Sequence, residues 1–175
     1  MKKILSPLSS ITLIWTSTTS LVACNTTQEY TKEQLAKLKE ENQINTNKQK
    51  IKDNLEWMAP QEKPFNKIDN KWYFVVWHGN VNDDWKIIKF KYDKYEKNKV
   101  LDKYNNYELQ LFQTGKAEQG YWKSICLVDN NGISKYFAWS FYPNYFKSVY
   151  RWNNDSEPNT LIIDSKTGQI KVKRE

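Results

Sequence analysis

The chain has 175 residues and a formal net charge of +7, from 27 Lys and Arg against 20 Asp and Glu. That length suits one domain with a proper core and is cramped for two. Five glycines, two cysteines and one histidine argue against a Gly-rich phosphate loop, a multi-histidine metal centre and a disulfide-stapled scaffold.

Residues 1–23 read as a secretion signal. Lys2 and Lys3 form a positive start, and Ile4, Leu8, Ile11, Leu13, Ile14 and Trp15 form an apolar centre with no acidic residue before Glu29. Serines, Pro7 and the Thr16 to Ser20 cluster dilute that centre below the roughly 18 unbroken apolar residues of a spanning helix. Leu21, Val22, Ala23 and Cys24 then follow. This run resembles the lipobox of bacterial lipoproteins, in which the Cys sulfur receives a diacylglyceryl group and the signal is cut off before it. The resemblance implies lipidation at Cys24, and two long acyl chains hold a protein at a membrane where one would release it. An uncleaved anchor and a plain secreted protein cut near Ala23 are the alternatives.

Losing Lys2 and Lys3 with the signal would take the charge from +7 to +5, carried almost wholly by lysine, with Arg151 and Arg174 as the arginines. Abundant Lys, Asn, Ile and Tyr beside eight Trp fit an AT-rich genome that reads TGA as tryptophan. With that bias, the leader MKKILS…SSITLI…TSTTSLVAC resembles spiroplasma-type lipoproteins of the mollicutes over about its first 25 residues. That resemblance implies the outer face of a single plasma membrane and transfers no catalytic residues.

Residues 24–60 are rich in Lys, Glu, Gln and Asn and read as a helical or flexible tether. Thr31 and Gln34 have capping-box spacing, so a helix is expected from about Lys32, with Leu35 and Leu38 as a short apolar stripe. Ile44, Ile51, Leu55 and Met58 fall on one helical face, to dock on the domain, pair with a partner helix, or belong to a solvated stalk. Pro60 and Pro64 end the segment.

Residues 61–175 read as a single antiparallel β domain. KWYFVVW is apolar on both faces and predicts a central strand; HGNVND is its turn and DWKIIKFKYD the returning strand. In the latter, Ile88, Phe90 and Tyr92 face one side and Ile87, Lys89 and Lys91 the other. YELQLFQ places Tyr107, Leu109 and Leu111 on one face. YWKSICLVD, the DNNG turn and SKYFAWSFY give another hairpin with Phe137, Trp139 and Phe141 aligned. YFKSVYRW and the TLIID-SKTG-QIKVKRE hairpin, with Gly168 free for a positive φ, complete a mainly β fold. The expectation is an antiparallel meander of about eight strands, closed as a small barrel or folded as a sandwich.

Chemistry-bearing residues are sparse. His78, the lone histidine, sits at a strand end where a surface or capping role is expected, and Cys126 lies in an apolar run as a small buried hydrophobe. Asn80, Asn82, Asp83 and Asp84 suggest a loose oxygen cluster but read first as an Asx-rich turn. No cofactor or metal is implied. The expectation is therefore a non-enzymatic binding or adhesion module for a host or surface protein or glycan. Its contact candidates are Trp72, Trp77, Trp85, Lys89, Lys91, Tyr142, Tyr145 and Arg151. Alternatives are polyanion or nucleic-acid binding through the lysine and aromatic strand, a small-ligand carrier, and an enzyme with His78 as first suspect. The structural alternative for those lysines is protection of an edge strand.

Overall fold

The computed structural model describes residues 29–159 and 161–173. The leader and its Leu21, Val22, Ala23 and Cys24 lie outside the described residues. Two helices, α1 (Lys32–Glu41) and α2 (Gln49–Asn54), precede ten strands. These are β1 (Leu55–Trp57), β2 (Trp72–Trp77), β3 (Lys86–Lys91), β4 (Val100–Tyr104), β5 (Tyr107–Lys116), β6 (Gly120–Asp129), β7 (Lys135–Ala138), β8 (Phe146–Trp152), β9 (Leu161–Ile163) and β10 (Ile170–Val172).

The strands form two four-stranded sheets, ordered β1-β8-β2-β3 and β4-β5-β6-β7, and a β9-β10 ribbon. Every pairing is antiparallel. The fold is thus mainly β, with ten strands of 3 to 10 residues among the described residues where the sequence suggested about eight. β3 and β4 belong to different sheets, so the arrangement is a sandwich, not a closed barrel. Its central core joins Tyr73, Val75 and Trp77 of β2 and Val149 of β8 to Leu109 and Leu111 of β5 and Ile125 and Leu127 of β6. Burial of these inward-facing alternate residues is the main term holding the sheets together.

KWYFVVW behaves as its two apolar faces require. Tyr73, Val75 and Trp77 point between the sheets, while Phe74 joins Tyr150, Trp152, Ile51, Leu55 and Leu161 in a second cluster on the outer face. That outer face is covered by α2 and the β9-β10 ribbon, whose Ile170 and Val172 pack against it. β3 splits as the alternation predicts, with Ile88 and Phe90 packed on the central core and Ile87 on the outer cluster.

The tether differs from its sequence reading. α1 begins with the expected capping box: Thr31 Oγ1 accepts from Gln34 N, and Gln34 Oε1 accepts from Thr31 N. But Ile44, Ile51, Leu55 and Met58 do not share one helix, because α2 stops at Asn54 and Leu55–Trp57 pairs with β8. A six-residue helix has little stability of its own, whereas β8 offers a ladder and cross-strand partners in Trp152 and Tyr150. Strand alternation then sends Leu55 to the outer cluster, and Met58, just beyond β1, reaches the central core. The segment from Gln49 to Pro60 is part of the β domain. α1 has no buried residue, yet Lys39 bridges Glu56 at 2.5 Å and Glu62 at 2.6 Å, fixing it to the sheet edge.

Candidate aromatic contact surface

The β2-β3 hairpin, the β4-β5 and β6-β7 turns and the segment entering β8 converge at one end of the sandwich. Their linkage is direct. His78 N donates to Tyr145 O, Asn130 N donates to Asn106 O, and a Cβ at Gly79 would stand 2.4 Å from the Tyr107 ring. The register of β2 and β3 ends with Trp77 opposite Lys86, so the next facing pair is His78 and Trp85. Their rings lie 4.0 Å apart, tilted by 24°.

From that stack a run of rings crosses the end of the molecule. His78 lies 6.0 Å from Tyr145, Tyr145 4.7 Å from Phe137, and Phe137 5.3 Å from Tyr142 in an edge-on contact. Such offset and edge-on pairs add cohesion beyond area burial. Trp85, Tyr145 and Phe137 are half-buried and Tyr142 is exposed, so the run opens to solvent. The turns beside it present Val81, 64% exposed, and Ile133, 89% exposed. A rigid aromatic run among short loops is the kind of surface that gains contact area at low entropic cost.

His78 has a structural role here. It is 4% exposed, which corrects the expectation of a surface histidine. Its Nε2 lies 2.7 Å from Asn144 O; a carbonyl only accepts, so that nitrogen carries the proton and donates. Nδ1 is buried without a hydrogen-bond partner. No carboxylate or nucleophile is hydrogen-bonded to the ring among the described residues.

Beside Trp85 a polar cleft of about 350 Å³ opens between residues 41–45, β8 and the β9-β10 turn. Gly168 lines this cleft with φ +72°, and a Cβ there would lie 3.0 Å from the Lys147 side chain and 3.2 Å from Trp85. Glycine at this position thus serves the turn and lets Trp85 pack close to it, behind the cleft wall. Gln43, Asn45 and Gln169 supply carboxamides around it. The turn is held by Trp85 N donating to Ser165 O at 2.7 Å and by Lys166, 2.5 Å from Asp84. The Lys166 and Ser165 hydrogen bonds hold the Asp84 carboxyl below its ordinary range. Asn80 and Asp83 cap each other across the turn, Asn80 N donating to Asp83 Oδ2 at 2.9 Å, as an Asx-rich turn requires.

The contact candidates therefore divide. Trp85, Tyr142 and Tyr145 belong to the ring run. Trp77 is fully buried in the central core, its indole N–H donating to Asp102 at 3.2 Å, so it has no surface to offer; this corrects its place among the candidates. Trp72, Lys89 and Lys91 lie together on the outer face of the first sheet, where β3 is the edge strand. Lys89 sits over the Trp72 ring at 4.8 Å and pairs with Glu157; Lys71 nearby pairs with Asp155 at 2.6 Å. Arg151 is opposite Glu56 and Tyr73, bonded to Glu56 at 2.8 Å. The sequence reading did not place Phe137 or the cleft residues among the contact candidates, since both depend on loop meetings without a local pattern.

Cys126 is fully buried, and burial pushes its thiol up to about 12, so at neutral pH it is protonated. Tyr145 is also pushed up, first by burial and then by neighbouring Tyr107 and Asp129, which keeps its phenol neutral.

No family model and no solved structure matches the chain. It is similar to "Uncharacterized protein ORF1" of Spiroplasma virus SpV1-R8A2 B, with 29% identity over 103 residues, or 59% of this chain. The matched stretch is 9% of that protein, so the chain spans a small part of its relative. The similarity gives the chain a spiroplasma-related connection.

Proposed function

We propose that this chain is a lipid-anchored surface protein of a spiroplasma-type mollicute whose β domain is a non-enzymatic contact module. The observation that carries the module is the run Trp85, His78, Tyr145, Phe137 and Tyr142, open to solvent at one end of a rigid sandwich and bordered by a carboxamide-lined cleft. Rings beside amides suit a glycan or a protein loop, in which apolar faces alternate with hydroxyls or peptide groups. The lipobox residues Leu21 to Cys24 and the spiroplasma-virus similarity support the anchoring and the setting.

Polyanion binding has weaker support. Lys89 and Lys71 face carboxylates of the 155–157 segment, and β3 is an edge strand, where lysines guard against sheet-to-sheet pairing. The test is binding of the chain from residue 24 onward, carrying Cys24→Ser, to glycan arrays and host membrane proteins at low and physiological salt. Salt-tolerant capture that Tyr142→Ala together with Trp85→Ala reduces by tenfold or more is expected, a hot-spot magnitude of about 1.4 kcal/mol or above. Binding confined to DNA or heparin and lost as salt rises would overturn the reading in favour of a polyanion binder.

A further inference from the structure

The polar cleft of about 350 Å³ has two walls that the fold holds in place. One is the segment 41–45: Asn42 Nδ2 donates to Leu38 O at 2.8 Å, and the Tyr150 hydroxyl donates to Asn42 O at 2.9 Å, which pins the segment to β8. The other is the β9-β10 turn, closed by Gly168 N donating to Asp164 O at 2.8 Å and Asp164 N donating to Gln169 O at 2.9 Å. Between these walls the exposed carboxamides of Gln43, Asn45 and Gln169 make no side-chain hydrogen bond among the described residues. Ile44 and Ile170, which also pack on the outer cluster, supply an apolar patch of the lining. The charged lining residues are one carboxylate, Glu41, and one ammonium, Lys147.

We propose, on the basis of the contact-module reading above, that this cleft seats one neutral monosaccharide unit of a glycan, its hydroxyls on the carboxamides and its C–H face on Ile44 and Ile170. Volume sets the size. A cavity of about 150 Å³ takes the six carbons of benzene, so one of about 350 Å³ takes roughly 12 to 15 non-hydrogen atoms, the span from a hexose to an N-acetylhexosamine. Hydrogen bonding sets the class. Each carboxamide both donates and accepts, as each sugar hydroxyl does, whereas a carboxylate guest could use only the donors. One positive and one negative lining residue leave no net charge to select an ion. Walls fixed in advance lower the ordering cost of binding, which matters most for a small polar guest.

The experiment is titration of the full chain carrying Cys24→Ser with the methyl glycosides of glucose, galactose and N-acetylglucosamine, and with glucuronate as a charged counterpart. The readout is the side-chain amide NMR signals of Gln43, Asn45 and Gln169. Saturable shifts with a midpoint of about 1–10 mM are expected for at least one neutral glycoside, as a guest of this size permits. Gln43→Ala together with Gln169→Ala should weaken that glycoside about tenfold by removing two hydrogen-bonding groups. Asn45→Trp, an exposed substitution that obstructs the cleft, should abolish its binding. Three results would each overturn the proposal: no saturable shift from any of the glycosides at about 100 mM, binding that survives these variants unchanged, or glucuronate held about tenfold more tightly than methyl glucoside. If glycan-array capture that depends on Trp85 and Tyr142 persists after such a result, the contact module stands without this subsite. Saturation of the cleft without ring-dependent capture would instead remove the module and leave the sugar site.

Discussion

The imidazole of His78 and the indole of Trp85 stack at 4.0 Å although neither belongs to a strand; they are the first pair beyond the β2-β3 ladder. The stack closes the hairpin and places Trp85 beside Gly168, which lines the polar cleft. His78→Ala and Trp85→Ala should therefore be coupled. A double-mutant cycle by denaturant unfolding should return about 0.5–1.5 kcal/mol of interaction energy, and additivity within error would deny the stack an energetic role.

Gly115 is the most demanding glycine. At φ +139° its Cβ would stand 2.2 Å from Gly120 O, a backbone atom that cannot swing away. Gly115→Ala should destabilise the β5-β6 hairpin by about 2–3 kcal/mol through strain and overpacking. Gly120→Ala meets no atom within 4 Å and carries only its positive φ of +73°, so it should cost less. Melting of both variants beside wild type ranks them, and an inverted order would contradict the geometry.

Alkaline stability follows from buried phenols. Tyr92 is fully buried, its hydroxyl donating to Phe65 O at 2.7 Å, and burial pushes it up to about 12. Tyr73 is raised further, by burial and then by the hydrogen bond to Asp69. A folded value above the unfolded value, about 10 for tyrosine, means that the unfolded chain loses its proton first. The stability contribution is full below about pH 10 and is lost as pH rises toward 12. Urea midpoints measured from pH 8 to 11 should fall over the upper part of that range. Tyr92→Phe should flatten part of the fall while costing about 1–2 kcal/mol at neutral pH for the orphaned Phe65 carbonyl.

Glu56 joins the tether to the domain. Burial raises its carboxyl, but hydrogen bonds from Lys39 and Asn153 and the charges of Lys39 and Arg151 outweigh that and bring it below its ordinary range. Because the folded value is depressed, its contribution is present at neutral pH and is lost as pH falls through the folded value. Glu56→Gln should lower stability by about 1–2 kcal/mol and speed amide exchange in α1 more than in β5 or β6. Equal exchange changes throughout would show that Lys39 does not hold α1 through this residue.

Cys24→Ser should abolish incorporation of labelled palmitate and leave the precursor unprocessed. Persistent labelling would remove lipidation at this residue from the proposed function.

Much of the architecture was visible in alternation. Tyr107, Leu109 and Leu111 face the central core together, and Ile88 and Ile87 divide between the two clusters as a two-residue period demands. The same period bears on the contact candidates: Trp72 and Trp77 are five residues apart on one strand and point to opposite faces, so one had to be inward. β4 was missed because VLDKY has a weak pattern and is defined by pairing with β5, with a bulge between Val100 and Asp102. β1 was hidden because Ile51 and Leu55 keep a helical interval while serving a helix and a strand in turn. Of the ring run, the His78 and Trp85 pair could be inferred once the hairpin register is set. The approach of Phe137 and Tyr142 depends on how the segment before β8 returns across the sandwich, which no local periodicity encodes.

Tyr30 is clamped to Gln61 by reciprocal bonds, its N–H donating to Gln61 Oε1 at 2.6 Å and its carbonyl accepting from Gln61 Nε2 at 3.0 Å. Under the acylation proposed for Cys24, this clamp would leave only a short leash. From Cys24 to Tyr30 even a fully extended backbone covers only about 20 Å, at roughly 3.5 Å per residue. Under the lipid anchor proposed for Cys24, a module on such a leash would stay against the bilayer, and the partners proposed for it would be those that come to the membrane surface or reside in it.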